Sequence, residues 1–278
     1  MKRFLLFLLF TTTLSNAQVV FEPTLSDAFK KANEQNKPVF IEYYNSECSV
    51  CKRLGDLLKN DSLVYTYYNK KFINYAMNTN DSLSVEDNRF LANANLHFES
   101  VPVLLYFDKN KNFLHHTGVN VDAASIVNEG KKATLSDYNS SGLKAKYDAG
   151  DRSVRTLYAY ADFLIVTKNE KLLNKVAQEL FNSFKEEELI TKKSYIVLKQ
   201  VVHTTENGFF QFWMEHLDDL KGFESGHKEG MEKEVLNKIV LKELSDPLIK
   251  KWDDKKKETF KKYILDLKIT NNPNVYFE

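Results

Sequence analysis

The chain has 278 residues, room for two domains at roughly 100–200 residues each, and 43% of them are hydrophobic, enough for a sizeable core. Lysine plus arginine total 39 against 38 aspartate plus glutamate, a balance that excludes a general nucleic-acid or polyanion binder. Fourteen tyrosines and twenty phenylalanines argue for packed cores and against a mainly disordered chain.

The N-terminus has the layout of a secretory leader. Lys2 and Arg3 form a charged start, Phe4 to Phe10 an apolar run, and Ser15-Asn16-Ala17 has the small residues that a signal peptidase reads, which predicts cleavage after Ala17. An uncleaved anchor is the other reading, but the apolar run falls short of the roughly 20 residues of a comfortable span. No later segment is long and apolar enough, so the expected mature chain is exported and soluble, periplasmic or secreted.

Val19 to Phe21 is a short β-like run. Leu25, Ala28, Phe29 and Ala32 then recur at helical spacing, with Thr24 or Ser26 as cap, until Asn36-Lys37-Pro38 ends the helix. Val39 to Tyr44 is β-branched, aromatic and almost continuous, the pattern of a strand buried on both faces, interrupted by Glu42. Cys48-Ser49-Val50-Cys51 follows and leads into a helix through Leu54, Leu57 and Leu58. A second short helix spans Leu63 to Tyr68, a second strand Phe72 to Met77, a polar loop residues 78–88, and a further helix includes Phe90, Leu91 and Ala94. Val101 to Phe107 reads as a strand with Pro102 at its entrance. The turn chemistry of residues 108–112 pairs it with a returning strand, Phe113 to Thr117, and residues 122–132 form a closing helix. Strands alternating with helices, then a hairpin and a last helix, predict an α/β sandwich around one mixed sheet over residues 18–135.

Residues 136–150, rich in Ser, Gly, Asp and Lys, read as a linker and helix entrance. Residues 151–270 show no convincing strand. Six apolar stripes at helical spacing, centred on Leu157, Val176, Leu198, Trp213, Ile239 and Ile264, predict an all-α helical array or bundle without a clean fixed-period repeat. Met231 is expected on the fifth of these helices, and the lysine run from Lys250 to Lys262 is expected to be a solvated helix face.

The two cysteines are the only ones in the chain. Placed at a helix start, Cys48 would be exposed where unpaired N–H groups and the helix dipole favour a thiolate, and Cys51, one turn in, would be shielded. That assigns Cys48 as nucleophile and Cys51 as resolving thiol. An inert disulfide is the other reading, although closing two intervening residues constrains little. Zinc needs about four ligands, and His97, His115 and His116 would have to be brought in by the fold. Haem attachment is excluded because Lys52, not histidine, follows Cys51. Glu42, if buried, would carry a raised pKa and could accept the proton of the resolving thiol; if its strand lies at an edge, it would point to solvent. Pro102 is expected trans by default. His115 and His116 should point to opposite faces of their strand, one of them to solvent, and His203 and His216 are expected to be structural.

The stretch I-E-Y-Y-N-S-E-C-S-V-C-K resembles the active-site strand, turn and helix of the thioredoxin family; V-P-V-L-L-Y-F resembles its proline-bearing strand and D-K-N-K-N-F the hairpin after it. The order of elements agrees over residues 19–132, as in exported bacterial thioredoxin-like proteins. The resemblance implies that Cys48 attacks, Cys51 resolves, Glu42 takes the buried acid position, and Pro102 is cis beside the cysteines. The departures are Glu47 where the family commonly has tryptophan, Ser49-Val50 in place of Gly-Pro, and Val103 where threonine is common; Glu47 should disfavour the Cys48 thiolate. The stretch from Tyr147 to Leu164 resembles the first helix of tetratricopeptide-type tails, which would offer a partner-binding surface. The expected function is an exported thiol–disulfide oxidoreductase acting on protein thiols and disulfides without a bound cofactor, needing a membrane electron donor if it is a reductase. The rival expectation is a non-enzymatic binding protein whose helical domain engages a protein partner and whose first domain is a carrier.

Overall fold

The computed structural model describes residues 18–80, 83–118, 120–224 and 230–278. The expected leader, residues 1–17, lies outside the described residues. The chain divides into two compact units: residues 1–94 with 98–139, and residues 95–97 with 140–278.

In the first unit, α1 (Leu25–Gln35) starts where the Thr24 hydroxyl accepts from the Asp27 amide and ends at Asn36, whose left-handed φ of 53° closes the helix. β1 (Val39–Tyr44), α2 (Ser49–Asn60), α3 (Ser62–Lys71) and β2 (Ile73–Asn78) follow. Next come α4 (Val85–Asn93), β3 (Val103–Phe107), β4 (Phe113–Thr117) and α5 (Ala123–Ala133). The strand order is β2-β1-β3-β4. β1 runs parallel to β2 and antiparallel to β3, and β3 is antiparallel to β4, so the sheet is mixed as expected. The β-like run at Val19–Phe21 is not a strand; only Phe21 bridges to Asn74. The polar stretch before Phe90 is shorter than expected, because Ser84 caps α4 by accepting from the Asp87 amide and the helix begins at Val85.

β1 is apolar almost throughout because both its faces are covered. On one face Phe40, Leu104 and Tyr106 pack with Leu54, Val64, Tyr68 and Ile126 from α2, α3 and α5. On the other, the Phe107 ring lies 6.4 Å from Phe29 of α1 and 4.7 Å from Phe90 of α4. Burying three aromatic rings in one cluster contributes well beyond any single hydrogen bond, at about 3–5 kcal/mol for removal of one such side chain.

The second unit is helical: α6 (Ser140–Asp148), α7 (Val154–Val166), α8 (Glu170–Asn182), α9 (Glu186–Leu189), α10 (Lys192–Val201), α11 (Gly208–Glu215), α12 (Lys233–Leu244) and α13 (Asp254–Asp266), with short 3₁₀ turns at Ile249–Lys251 and Pro273–Tyr276. Its core gathers Leu157, Tyr160, Leu180, Trp213, Val240 and Ile264. Side chains of Ser153, Asn169, Thr191, Asn207 and Asp253 cap their helices, so the N-terminal amides do not go unpaired. Two expectations change. The stretch read as a linker and helix entrance holds a helix of its own, α6, stabilised by burial of Leu143 and Tyr147, which a polar composition concealed. Met231 precedes α12 and is 41% exposed. In the lysine run, Lys256 lies 4.1 Å over the Trp252 ring and Lys261 pairs with Glu258 at 2.8 Å. Among the described residues no helix is long and apolar enough to cross a membrane.

Candidate active site

The site forms where the chain leaves β1. Four successive amides of the connecting turn are held. The Asn45 amide points at the Cys51 sulfur. The Ser46 amide donates to Asn80 Oδ1 at 2.6 Å, and the Glu47 amide donates to Asn45 Oδ1 at 2.8 Å. The Cys48 amide donates to the Asn45 carbonyl at 3.2 Å. The turn delivers Cys48 to the N-cap of α2 in an extended conformation, φ −74° and ψ 122°, from which its sulfur accepts the Cys51 amide at 3.2 Å.

The two thiols differ in surroundings. Cys48 is partly exposed and Cys51 is buried, and both are free. Hydrogen bonds donated by the Cys51 thiol and amide hold the Cys48 pKa below the ordinary thiol value, with the Val50 amide and the Arg53 charge adding to the effect. Glu47, with a charge expected to disfavour this thiolate, has an exposed side chain, and the net shift of Cys48 is downward. Burial pushes the Cys51 thiol up to about 11; the Asn45 amide opposes this, and the Cys48 sulfur and the Glu42 charge reinforce it. One sulfur is therefore disposed to attack and the other to wait protonated.

Glu42 is 5% exposed, between Ala76 of β2 and Leu104 of β3, which decides between its two sequence readings in favour of burial. Burial raises its pKa to about 7, and the Lys59 charge pulls in the opposite direction. The Val101–Pro102 bond is cis, where the default was trans. Pro102 is buried, and the Cys48 thiol donates to the Val101 carbonyl at 3.8 Å. The structure thus brings Cys48, Cys51 and the Pro102 loop together, with the Glu42 charge reaching the buried thiol.

The histidines do not join them. His115 and His116 point to opposite faces of β4, but neither reaches solvent: they are 8% and 6% exposed. His115 Nε2 meets Glu129 Oε2 at 3.3 Å, and its ring stacks on Tyr106 at 5.9 Å; His116 lies 6.2 Å from the Phe113 ring. The expectation that one would be exposed fails because both faces of β4 are covered at these positions, that of His115 by Glu129 of α5 and that of His116 beside the Phe113 ring. His216 Nδ1 contacts the Phe212 carbonyl at 2.8 Å within the helical unit. Among the described residues, no three His, Cys, Asp or Glu side chains are grouped to hold a metal ion. Two residues escaped the sequence reading. Asn45, two before Glu47, carried a turn signal. Asn80 acts across 34 positions and carried none.

Residues 20–109 match a family model described as thioredoxin-like. Several solved structures are similar to the chain, among them these three. A candidate disulphide-isomerase from Bacteroides thetaiotaomicron is 23% identical, with 43% of this chain and 95% of that chain covered and a TM-score of 0.36. A DsbH oxidoreductase is 17% identical, with 44% and 89% covered and a TM-score of 0.38. A disulphide isomerase from Xylella fastidiosa Temecula1 is 13% identical, with 42% and 98% covered and a TM-score of 0.35. No curated protein matches. The mixed sheet, the two cysteines at the start of α2 and the match over residues 20–109 together give the first unit of this chain a thioredoxin-like fold.

Proposed function

We propose that the protein is an exported thiol–disulfide oxidoreductase that exchanges disulfides with protein substrates through Cys48 and Cys51. The observation that carries this reading is the contrast between the sulfurs: Cys48 is accessible and its pKa is lowered, while Cys51 is buried and its pKa is raised to about 11. A structural bridge calls for no such asymmetry.

In the reducing direction the Cys48 thiolate attacks one sulfur of the substrate disulfide. A Cys48–substrate bond forms, the substrate S–S bond breaks, and the departing thiolate takes up a proton. The Cys51 thiol then gives its proton to the Glu42 carboxylate and attacks the Cys48 sulfur. The substrate leaves with two thiols, and Cys48 and Cys51 are left as a disulfide, so two electrons have passed to the substrate. The reverse sequence oxidises a dithiol. Glu42 suits the acceptor role because a pKa of about 7 lets it both take and release a proton near neutral pH. Pro102 shapes the rim that a substrate chain meets, beside the Val101 carbonyl. A membrane electron donor returns the pair to the dithiol when the protein acts as a reductase. Export rests on the leader-like residues 1–17.

Reduction of insulin with dithiothreitol as electron source tests the proposal. The wild type should accelerate the reaction and Cys48→Ser should not; equal rates for the two would sink the oxidoreductase reading. The reduction potential of the pair gives the direction: a value near about −270 mV favours a reductase and one near about −120 mV an oxidase.

A further inference from the structure

The turn that carries the nucleophile holds most of itself in place. The Asn45 side chain takes the Glu47 amide and the Asn45 carbonyl takes the Cys48 amide, both within four residues. The Ser46 amide is held by a side chain from beyond the end of β2, Asn80 Oδ1 at 2.6 Å. Asn80 is in turn fixed to the end of β2: its own amide donates to Asn78 Oδ1 at 3.1 Å, and the neighbouring Thr79 amide donates to the Tyr44 carbonyl at 2.8 Å. The segments leaving the two parallel strands β1 and β2 are therefore stitched together just before the cysteine.

From these contacts we infer that Asn80 is a positioning residue for Cys48: by holding the Ser46 amide it fixes the turn that places the Cys48 sulfur against the Cys51 amide. The inference rests on Cys48 being the nucleophile of the exchange proposed above. Its physical basis is that an N-cap geometry is satisfied only in a narrow range of backbone dihedrals. A turn tethered at one end by its own side chain and at the other by a neighbouring strand stays in that range. Without Asn80 the turn keeps its internal Asn45 bonds but loses its anchor to β2. The Cys48 sulfur then shares its time between facing the Cys51 amide and facing water, where a thiolate is less favoured. Asn80 is exposed, so its removal takes nothing from the core.

The test is the rate of Cys48 alkylation by iodoacetamide as a function of pH, measured on the full chain as wild type, Asn80→Ala and Asn80→Asp. Aspartate keeps an acceptor oxygen at the same reach, and high salt screens its added charge. Loss of one such hydrogen bond should slow Asn80→Ala about three- to tenfold below the thiol's midpoint and move that midpoint to higher pH. Asn80→Asp at high salt should lie near the wild type. Alanine within about twofold of wild type at every pH overturns the inference, and so does aspartate as impaired as alanine. Loss of the folded state in both variants overturns it as well, because a residue that only aims the turn does not carry the fold. Alkylation needs no protein disulfide, so a wild type inactive on insulin but with Asn80-dependent alkylation would defeat the exchange reading and leave this inference standing.

Discussion

The Cys51 amide donates to the Cys48 sulfur at 3.2 Å, and this contact joins the first turn of α2 to the chemistry of the pair. A helix start has N–H groups without intrahelical partners, and here the Cys48 sulfur supplies the acceptor that serine or aspartate supplies elsewhere in this chain, as at Ser84 and Asp61. Helix initiation and thiol activation are thus one interaction. The Cys51 side chain adds a second donor to the same sulfur.

Cys51→Ala should therefore do two things. It removes the thiol that donates to Cys48 but leaves the amide, so the pH midpoint of Cys48 alkylation rises. It also removes the thiol proposed to resolve the exchange, so the mixed disulfide with a substrate should accumulate and be visible by mass spectrometry. An unchanged midpoint would mean that the side-chain contact does not reach the nucleophile.

Glu42 links the same site to stability. Its native pKa, raised by burial to about 7 from an ordinary 4.5, means that the folded state binds the proton more tightly than the unfolded chain. The stability this provides is fully present below pH 4.5 and is lost as pH rises through about 7. The span corresponds to roughly 3 kcal/mol at most, so Glu42→Gln should be more stable than the wild type at about pH 8 and similar to it at acid pH. Denaturant melts at the two pH values measure this directly.

The proton-acceptor role proposed for Glu42 predicts an effect of the opposite sign on exchange. Without a proton acceptor, resolution of the mixed disulfide should slow by about 10²-fold in Glu42→Gln, and the rise in rate through about pH 7 should disappear. Quenched-flow measurement of mixed-disulfide decay reads it. A variant that is more stable yet keeps its wild-type resolution rate would assign Glu42 a cost without a chemical use.

These outcomes bear on what could be read in advance. The cysteine pair, β1 and the helix after it were legible because each is encoded within a dozen neighbouring residues: a continuous apolar strand, a pair three positions apart, leucines at helical spacing. The burial of Glu42 was not decidable, since it depends on β2 and β3 lying on either side of β1. The burial of His115 and His116 was not legible for the same reason, because it depends on what packs on each face of β4, Glu129 of α5 in the case of His115. Asn80 was invisible because an exposed asparagine acquires its role only when β2 pairs with β1. Local pattern shows elements; pairing determines which polar residues matter.

His115 supplies an acid-side prediction. Burial lowers its pKa, opposed by its hydrogen bond to Glu129 and assisted by the neighbouring charges of His116 and Lys132. A depressed native value means that the folded state resists protonation. Stability is then present above the ordinary value of 6.5 and falls as pH drops through the native one. His115→Gln keeps a polar partner for Glu129 without the titration, so its melting temperature should fall less than that of the wild type between about pH 7 and pH 5. Glu129, whose own pKa is lowered, acts only below its ordinary value of 4.5, outside the interval of the two melts.

Two glycines separate packing from propensity. A Cβ on Gly208, the first residue of α11, would lie 2.3 Å from the Phe181 ring, and that ring is already wedged 5.1 Å from Phe209. Gly208→Ala should destabilise the helical unit by about 1–3 kcal/mol. Both tryptophans, Trp213 and Trp252, lie in this unit, so intrinsic fluorescence follows its unfolding. Gly55 sits in the middle of α2, and a Cβ there would meet nothing within 4 Å. Gly55→Ala should therefore stabilise α2 by about 1 kcal/mol through helix propensity alone. Slower denaturant-induced exposure of Cys51 to a thiol reagent would show it, while the pH midpoint of Cys48 stays in place. If Gly55→Ala moved that midpoint, the N-terminal turn of α2 would owe its geometry to the flexibility of the helix and not to the contacts made by Asn45, Asn80 and Cys51.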